Sequence, residues 1–547
     1  MNMLNEPGLM ASEMISPSSL LTDNLPLLAG APNGIQKLRE LILELAVRGK
    51  LVPQDQNDEP ASELLKHIAE EKSRLVAEGI IRKQKPLLER QKEDKPFELP
   101  TGWEWSRLGE IALINPRNSA PDSTKVSFVP MTLIGTRFDG RHAQEVRTWA
   151  EVKQGFTHFA EGDIGVAKIT PCFENSKACV FSDLENSLGA GTTELHIVRP
   201  VGKYLAARYV LAYLKSPQFL LVGETKMTGT AGQKRLPKDF VESNPFPLPP
   251  LAEQYRIVAK VDELMALCDR LEAQQASAEN AHARLVQALL DSLTQASDAD
   301  DFAASWQRLA EHFHTLFTTE SSIDALKKTF LRLAADGRLV SSDMPADYLP
   351  LSDVIEGDSL NGSSKKPQDS PGTVEILRIS AGTGVADFLT DEYEHKWADV
   401  TEAEIQKFLL TKDDLLACRF NGNLHYVGAF SLYCGNRGVA QIFPDKLIRF
   451  RADRNKALPH YLKYILNAAP ARTQIESFCA TTVGNIGISA KNLKTIKIRL
   501  PSLEEQSNIV GLLDHLMTLC EQLKTRLTQA RQLNEQLAIA LVEQAVA

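Results

Sequence analysis

Beyond Leu251, marking third and fourth positions alternately picks out Ile257, Val261, Leu264, Cys268, Leu271, Gln275, Ala278, His282, Leu285 and Leu289. The same marks 252 residues later fall on Ile509, Leu513, Leu516, Cys520, Leu523, Leu527, Ala530, Asn534, Leu537 and Leu541. Eight of the first ten positions and nine of the second ten are apolar. A stripe this narrow is the a/d seam of a coiled coil. Each predicted helix would span about 60 Å at about 1.5 Å per residue. Neither stripe can stay in water over that length, so the two helices are expected to pair. Repeats in one chain often pack with approximate two-fold symmetry, which would run the pair antiparallel. His282 and Asn534 are polar at seam positions, read as satisfied core residues or the open end of the seam; a lone polar seam residue can also set register.

Both helices open behind the same gate. "LPPLAEQ" (Leu248 to Gln254) returns as "LPSLEEQ" (Leu500 to Gln506). A second marker, "IQKLRELILELAVRGKLV" (Ile35 to Val52), has helical spacing up to Gly49, a plausible helix stop. It returns shifted by 288 as "IDALKKTFLRLAADGRLV" (Ile323 to Val340). One marker opens each repeat and the other closes it.

Between the markers the pattern changes. Strand-like runs such as "TELHIVRP" (Thr193 to Pro200) and "KLIRFRAD" (Lys446 to Asp453) stand among Gly, Asn and Pro turns. Each stretch then has a helical run, "YLAARYVLAYLKSP" (Tyr204 to Pro217) or "LPHYLKYILNAAP" (Leu458 to Pro470), and a strand into its gate. The expected fold class is α+β: two α+β domains of one design, separated by two long antiparallel coiled-coil helices as a pseudo-two-fold internal repeat. The expected segments are a mobile tail at 1–33, a helical region at 34–99, an α+β domain at 100–250, a central helical region at 251–345, the second α+β domain at 346–502 and a closing helix at 503–547. The tail is rich in Ser, Pro, Asn and Gly. A charged segment, Glu59 to Pro100, occurs only in the first copy; Glu63 to Gly79 of it is expected to be a solvated helix.

Composition narrows the function classes. The net charge of −9 excludes a whole-protein basic footprint but leaves room for local patches. Seven scattered cysteines without a CxxC pair argue against a disulfide framework or a structural zinc site. Cys268 and Cys520 fall in the apolar stripes and are expected to be buried thiols. No apolar run approaches a membrane span, and the first basic residue is Lys37, so a signal-peptide start is missing; a cytoplasmic protein with no membrane partner is expected.

Catalytic patterns are missing. No Asn/Asp-Pro-Pro-aromatic motif follows a cofactor turn, and "NPFP" (Asn244 to Pro247) lacks the second proline in register. "GTAGQK" (Gly229 to Lys234) has two residues between its glycines where a P-loop needs four. "GAGTTE" (Gly189 to Glu194) runs into a strand, no HExxH or GxSxG occurs, and Pro121-Asp122 has no ExK partner. The chain reads as a binding scaffold with no catalytic residue, no metal site and no cofactor of its own.

Candidate binding residues lie in loops that recur. "KMTGTAGQKRLPK" (Lys226 to Lys238) has basic residues and no acid, and offers Thr228, Thr230, Gln233, Lys234 and Arg235. Small polar residues let a backbone approach phosphate and can hydrogen-bond base edges. The matching "CATTVGNIGISAKNLK" (Cys479 to Lys494) offers Thr481, Thr482 and Asn485. Earlier in each domain, "GVAKITPCFENSK" supplies Lys168, Thr170 and Lys177, and "LACRFNGNLHY" supplies Arg419, Asn421 and Asn423. One such hairpin could be a solvated turn; recurrence in both domains is the feature that points to binding.

The chain resembles the specificity subunits of type I restriction-modification enzymes. The resemblance rests on "PFELPTGWEWSRLGEIA" (Pro96 to Ala112), "TGTAGQKRLPKDF" (Thr228 to Phe240) and the two gates, and covers nearly everything from Ile35 onward. It implies two target-recognition domains, each reading one half of a split sequence in double-stranded DNA, with the helices as a ruler. It also implies two modification subunits that use S-adenosylmethionine and two restriction subunits that use ATP and Mg2+, with no catalytic residue in the specificity subunit. The second copy departs from the pattern: it keeps only "LPLSDVIEG" in place of "GWEWSRL", which leaves the start of the second domain open.

Overall fold

The structure is a computed structural model that describes residues 25–81, 95–230, 232–340, 347–384, 388–482 and 485–546. The chain forms two compact units, residues 1–277 with 531–547, and residues 278–530.

The first unit carries two four-stranded sheets. One is antiparallel throughout, in the order Ala112–Ile114, Leu195–Pro200, Ile164–Ala167, Ala178–Val180. The other runs Glu145–Thr148, Lys125–Val129, Leu188–Gly191, Thr157–Ala160, with the middle pair parallel. A separate pair, Glu104–Arg107 with Pro245–Leu248, closes the domain and delivers the chain to the gate. The second unit repeats this plan. Its antiparallel sheet runs Leu360–Asn361, Leu447–Phe450, Leu415–Cys418, Phe430–Leu432, and its mixed sheet runs His395–Ala398, Val374–Leu377, Gln441–Ile442. Asp347–Pro350 pairs with Lys497–Leu500 in the closing role. The stretch "DYLP" thus takes the place of "EWSR" without its tryptophan.

The gates work through their glutamines. Gln254 is fully buried; its Oε1 accepts the Ala206 N–H (2.8 Å) and its Nε2 donates to the Pro249 carbonyl (3.0 Å). Gln506 is also fully buried, accepting the Leu458 N–H (2.8 Å) and donating to the Pro501 (2.8 Å) and Lys456 (2.9 Å) carbonyls. Ala206 and Leu458 are the N-caps of helices Ala207–Leu214 and Pro459–Asn467. Neither cap has a side chain that can accept, so the gate glutamine satisfies a helix N–H that would otherwise be orphaned. Tyrosines on those helices reach the closing strands: Tyr209 donates to the Pro247 carbonyl (2.9 Å) and Tyr461 to that of Arg499 (2.7 Å). The gate glutamates differ in partner. Glu253 accepts from Trp103 Nε1 (3.0 Å), and burial holds its carboxyl above the usual range; Glu505 pairs with Arg499 at 2.7 Å.

The long helices are Leu251–Gln295 and Leu503–Val546. In the first unit, Ile257, Val261, Leu264 and Cys268 share a core with Leu38, Leu41 and Leu45 of helix Gly34–Val47 and with Ala538 near the chain's end. In the second unit, Val286, Leu290 and Leu293 share a core with Ile509, Leu513, Met517 and Cys520 and with Ile323, Leu326 and Phe330 of helix Glu320–Ala335. The first long helix gives its start to the first core and its end to the second, and the last helix does the reverse. Cys268 and Cys520 are buried.

The seam departs from strict heptad spacing. Gln275, Ala278, Ala530 and Asn534 are exposed, as are Leu285 (54%) and Leu537 (44%). Val286 and Leu290 are buried one residue beyond the expected Leu285 and Leu289. A straight α-helix drifts by ~20° per heptad, so over four heptads the buried face moves by nearly one residue. Val286 lies 29 residues after Ile257, and Ala538 lies 29 after Ile509, about eight turns each. His282 is not in a seam layer; its Nε2 meets the Thr315 carbonyl at 3.2 Å.

The expected N-terminal tail also ends earlier than its composition implies. Leu25–Gly30 is helical, with Leu28 and Ala31 buried in the first core. Residues 1–24 and 82–94 of the expected tail and charged segment lie outside the described residues. Helix Ala61–Ala77 occupies the helical part of that segment. Among the described residues, no helix is long and apolar enough to cross a membrane.

Candidate nucleic-acid interface

In each unit the antiparallel sheet extends one strand past its edge to meet a hairpin. In the first, the strand Ile164–Ala167 continues through Lys168 to Thr170. Lys168 N–H donates to the Glu194 carbonyl (3.0 Å), and the Lys168 carbonyl accepts from Leu236 N–H (2.7 Å). Ile169 bridges Arg235, and Arg235 bridges Thr228. Thr170 holds the hairpin's far strand twice: its N–H donates to the Lys234 carbonyl (3.1 Å) and its Oγ1 accepts from Lys234 N–H (3.2 Å). The Gln233 N–H closes the turn on the Thr230 carbonyl (3.0 Å). Thr228, Thr230, Gln233, Lys234 and Arg235 are all exposed, on a hairpin anchored by its backbone.

The second unit builds the same ribbon. Arg419 N–H donates to the Lys446 carbonyl (2.7 Å), and the Arg419 carbonyl accepts from Ile488 N–H (3.0 Å). Phe420 pairs with Gly487, Asn421 with Ile486, and the hairpin strands Ala480–Thr482 and Asn485–Gly487 pair with each other. Thr481, Thr482 and Asn485 therefore sit at the tip of the hairpin that Asn421 pairs. Asn423 comes next, in a loop fixed by successive Asx turns: Asn421 Oδ1 accepts from Asn423 N–H (2.9 Å), and Asn423 Oδ1 from His425 N–H (3.0 Å). Arg472 pins that loop from below through the Val427 carbonyl (2.8 Å).

The structure thus gathers twelve of the fourteen expected residues into two ribbons of one design, with Asn423 in the loop that follows the second. Lys177 stands apart in role, since its ammonium donates to the Met131 carbonyl at 3.0 Å, inside the domain. Arg235 is also not a free cation: it forms a two-pronged pair with Glu194 (2.8 and 2.9 Å), which holds that carboxyl below its usual range. Arg419 lies over the Phe420 ring at 4.7 Å.

Sequence reasoning missed Glu194 and Lys446, which sit in corresponding places beside the two ribbons. Their shared offset of 252, the same as that of the gates, was the available signal. Behind the first ribbon, buried His196 fixes the hairpin's exit, its Nε2 on the Leu236 carbonyl at 2.9 Å and its Nδ1 facing Asn115 Nδ2 at 3.2 Å. Burial lowers its pKa, consistent with a neutral ring protonated at Nε2. Among the described residues, no group of three or more His, Cys, Asp or Glu is placed to hold a metal ion.

Two domains of one fold, each pairing a hairpin with the same extended strand of its antiparallel sheet, define a duplicated recognition module. The sequence matches the family described as "Type I restriction modification DNA specificity domain" over residues 100–279 and again over 347–531. The chain belongs to that family. It is 43% identical to the type I restriction enzyme EcoEI specificity subunit of Escherichia coli, over 94% of both chains. It is 41% identical to the EcoAI specificity subunit of the same species, again over 94% of both. Its fold resembles a chain in a solved structure described as "Structural basis underlying complex assembly and conformational transition of the type I R-M system", with a TM-score of 0.55 and 19% identity over 82% of this chain and 99% of that one. The chain is therefore a specificity subunit, whose role is DNA recognition and not catalysis.

Proposed function

We propose that this subunit reads an asymmetric, two-part sequence in double-stranded DNA, one half with each ribbon. The recognition domains are residues 100–250 and 346–502, and the contacts are made by Lys168, Thr170, Thr228, Thr230, Gln233, Lys234 and Arg235 in the first and by Arg419, Asn421, Asn423, Thr481, Thr482 and Asn485 in the second, with Lys177 supporting the first from within the domain. One observation carries this reading: the ribbons share a backbone plan at an offset of 251 to 252 residues, yet present different side chains. Equal scaffolds with unequal side chains read unequal half-sites.

The long helices set the gap between the halves. The subunit joins two modification subunits and two restriction subunits in the cytoplasm. S-adenosylmethionine, ATP and Mg2+ act in those partners.

The test is binding of the reconstituted complex to duplexes of the site mapped from methylated adenines in the host genome. Selective, salt-dependent binding is expected. Lengthening both long helices together should change the tolerated gap and keep both half-sequences; altered half-sequences would refute the ruler. Methyl transfer by the isolated chain would identify a self-contained methyltransferase instead. Absence of selectivity in the full complex would leave a coiled-coil adaptor.

A further inference from the structure

The two ribbons differ most on their C-terminal side. In the second unit the hairpin leads through Ile488 into the short helix Ala490–Lys494 and the strand Lys497–Leu500. Lys491, Lys494 and Lys497 line one open cleft of about 630 Å3, together with Ser352, Ser359 and Thr495. Lys491 and Lys497 are exposed. Lys494 has a long contact, 3.5 Å, with the fully exposed carboxylate of Asp358. Asp353 is also near the cleft, accepting from the Ser352 hydroxyl at 2.9 Å. Three lysines and three hydroxyl-bearing residues, with Pro350, lining one open cleft suit an anion with several oxygens spread along a line, as in a phosphodiester backbone.

Two of the three corresponding positions in the first unit carry the opposite charge and the third carries none. At the offset of 252, Lys491, Lys494 and Lys497 match Asp239, Glu242 and Pro245. Glu242 there pairs with Lys238 at 2.6 Å. The neighbouring position shows the same inversion, Glu194 against exposed Lys446. Charge has been moved: the first ribbon carries Lys234 and Arg235 on the hairpin itself, whereas the second has Ile486 and Gly487 there and carries its cations at the flank.

We propose that the lysine cleft beside the second ribbon holds backbone phosphates of the DNA next to the half-site that ribbon reads. The second unit then has a phosphate anchor that the first lacks, and its hairpin tip is left uncharged to meet base edges. This rests on the reading that the ribbons face DNA.

The experiment compares the wild-type complex, reconstituted with its modification subunits, with a Lys491→Gln, Lys494→Gln, Lys497→Gln variant. Affinity for the mapped duplex and for an unrelated duplex is measured against salt. Each lost phosphate contact lowers the steepness of log K against log salt by about 0.9, so a loss of about 2.7 is expected. Target and unrelated duplexes should weaken by similar factors while the methylated sequence stays the same. Lys→Arg at all three positions should keep the wild-type slope, which excludes misfolding as the cause. An unchanged slope in the glutamine variant overturns the proposal. So does loss of co-purification with the modification subunit, which would make the cleft a protein contact. A wild-type complex without sequence-selective binding would refute the broader reading instead.

Discussion

Replacing Gln254 by Leu should selectively loosen the first unit. The substitution keeps the side chain's approximate volume and removes both of its hydrogen bonds. Two buried backbone groups lose their partners: the Ala206 N–H, held at 2.8 Å, and the Pro249 carbonyl, held at 3.0 Å. Gln254 is fully buried, so water does not replace it at that site without opening the gate. An unsatisfied buried group costs about 1–3 kcal/mol, so the pair costs about 2–6 kcal/mol, part of which local relaxation recovers. Hydrogen exchange read by mass spectrometry on the full chain resolves the two units separately. At about 1.4 kcal/mol per tenfold, a net loss of about 2–3 kcal/mol lowers protection of helix Ala207–Leu214 by roughly 30- to 150-fold. Peptides of the second unit should change far less. Gln506→Leu should do the reverse, loosening helix Pro459–Asn467. A loss under tenfold in the adjacent helix, or equal losses in both units, would refute the idea that each gate glutamine caps its own domain.

Gly337 has φ of +73°, and a Cβ there would lie 2.6 Å from Arg499 Nε, so Gly337→Ala should cost about 1–3 kcal/mol by backbone strain and by displacing the Arg499–Glu505 pair; urea unfolding of the second unit checks it. His196 has a folded pKa below its ordinary value because burial disfavours the charged ring. The unfolded chain therefore takes up its proton near pH 6.5 (about the free imidazole value) while the folded chain resists, so the stability His196 confers is complete above that pH and is lost as pH falls below it. His142 and His158 in the same unit shift in the same direction for the same first cause, so wild type should weaken as pH falls below about 6.5, and His196→Gln should weaken less steeply; identical pH slopes would refute the assignment. Glu194→Gln releases Arg235 from its ion pair, so the complex should bind all duplexes more tightly with a salt slope steeper by about 1, as measured by titration at several salt concentrations.

Much of the candidate interface was legible because duplication supplied an internal comparison. The recurring Thr, Gly, Asn and Gln positions marked both hairpins, and their equal spacing from the gates tied them to one place in the fold. Spacing could not show the state of each side chain. Arg235 reads as a free cation until Glu194, 41 residues earlier, is found beside it. Lys177 reads as a surface lysine until its ammonium is found on the Met131 carbonyl. Both partners are distant in sequence and meet only because the sheets bring them together. The start of the second domain was illegible for a related reason: Asp347–Pro350 is defined by its pairing with Lys497–Leu500, and a four-residue edge strand needs no distinctive side chains to make that ladder.

The seam separates the two sources of information most clearly. Local periodicity fixed that two long amphipathic helices exist and that each comes after a Leu-Pro gate, because a helix cannot leave an apolar stripe of that length in water. It could not decide whether the stripe follows 3.5 or 3.6 residues per turn, since both patterns select the same residues over the first few turns. Packing decided that. The first helix buries Ile257 in one unit and Val286 in the other, 29 residues on, so the buried face keeps the straight helix's own repeat. The sequence alone determined the elements and their duplication, because these depend on neighbours a few positions apart. The tertiary structure decided register, ion pairing and the placement of charge around each hairpin, because these depend on groups tens to hundreds of positions apart.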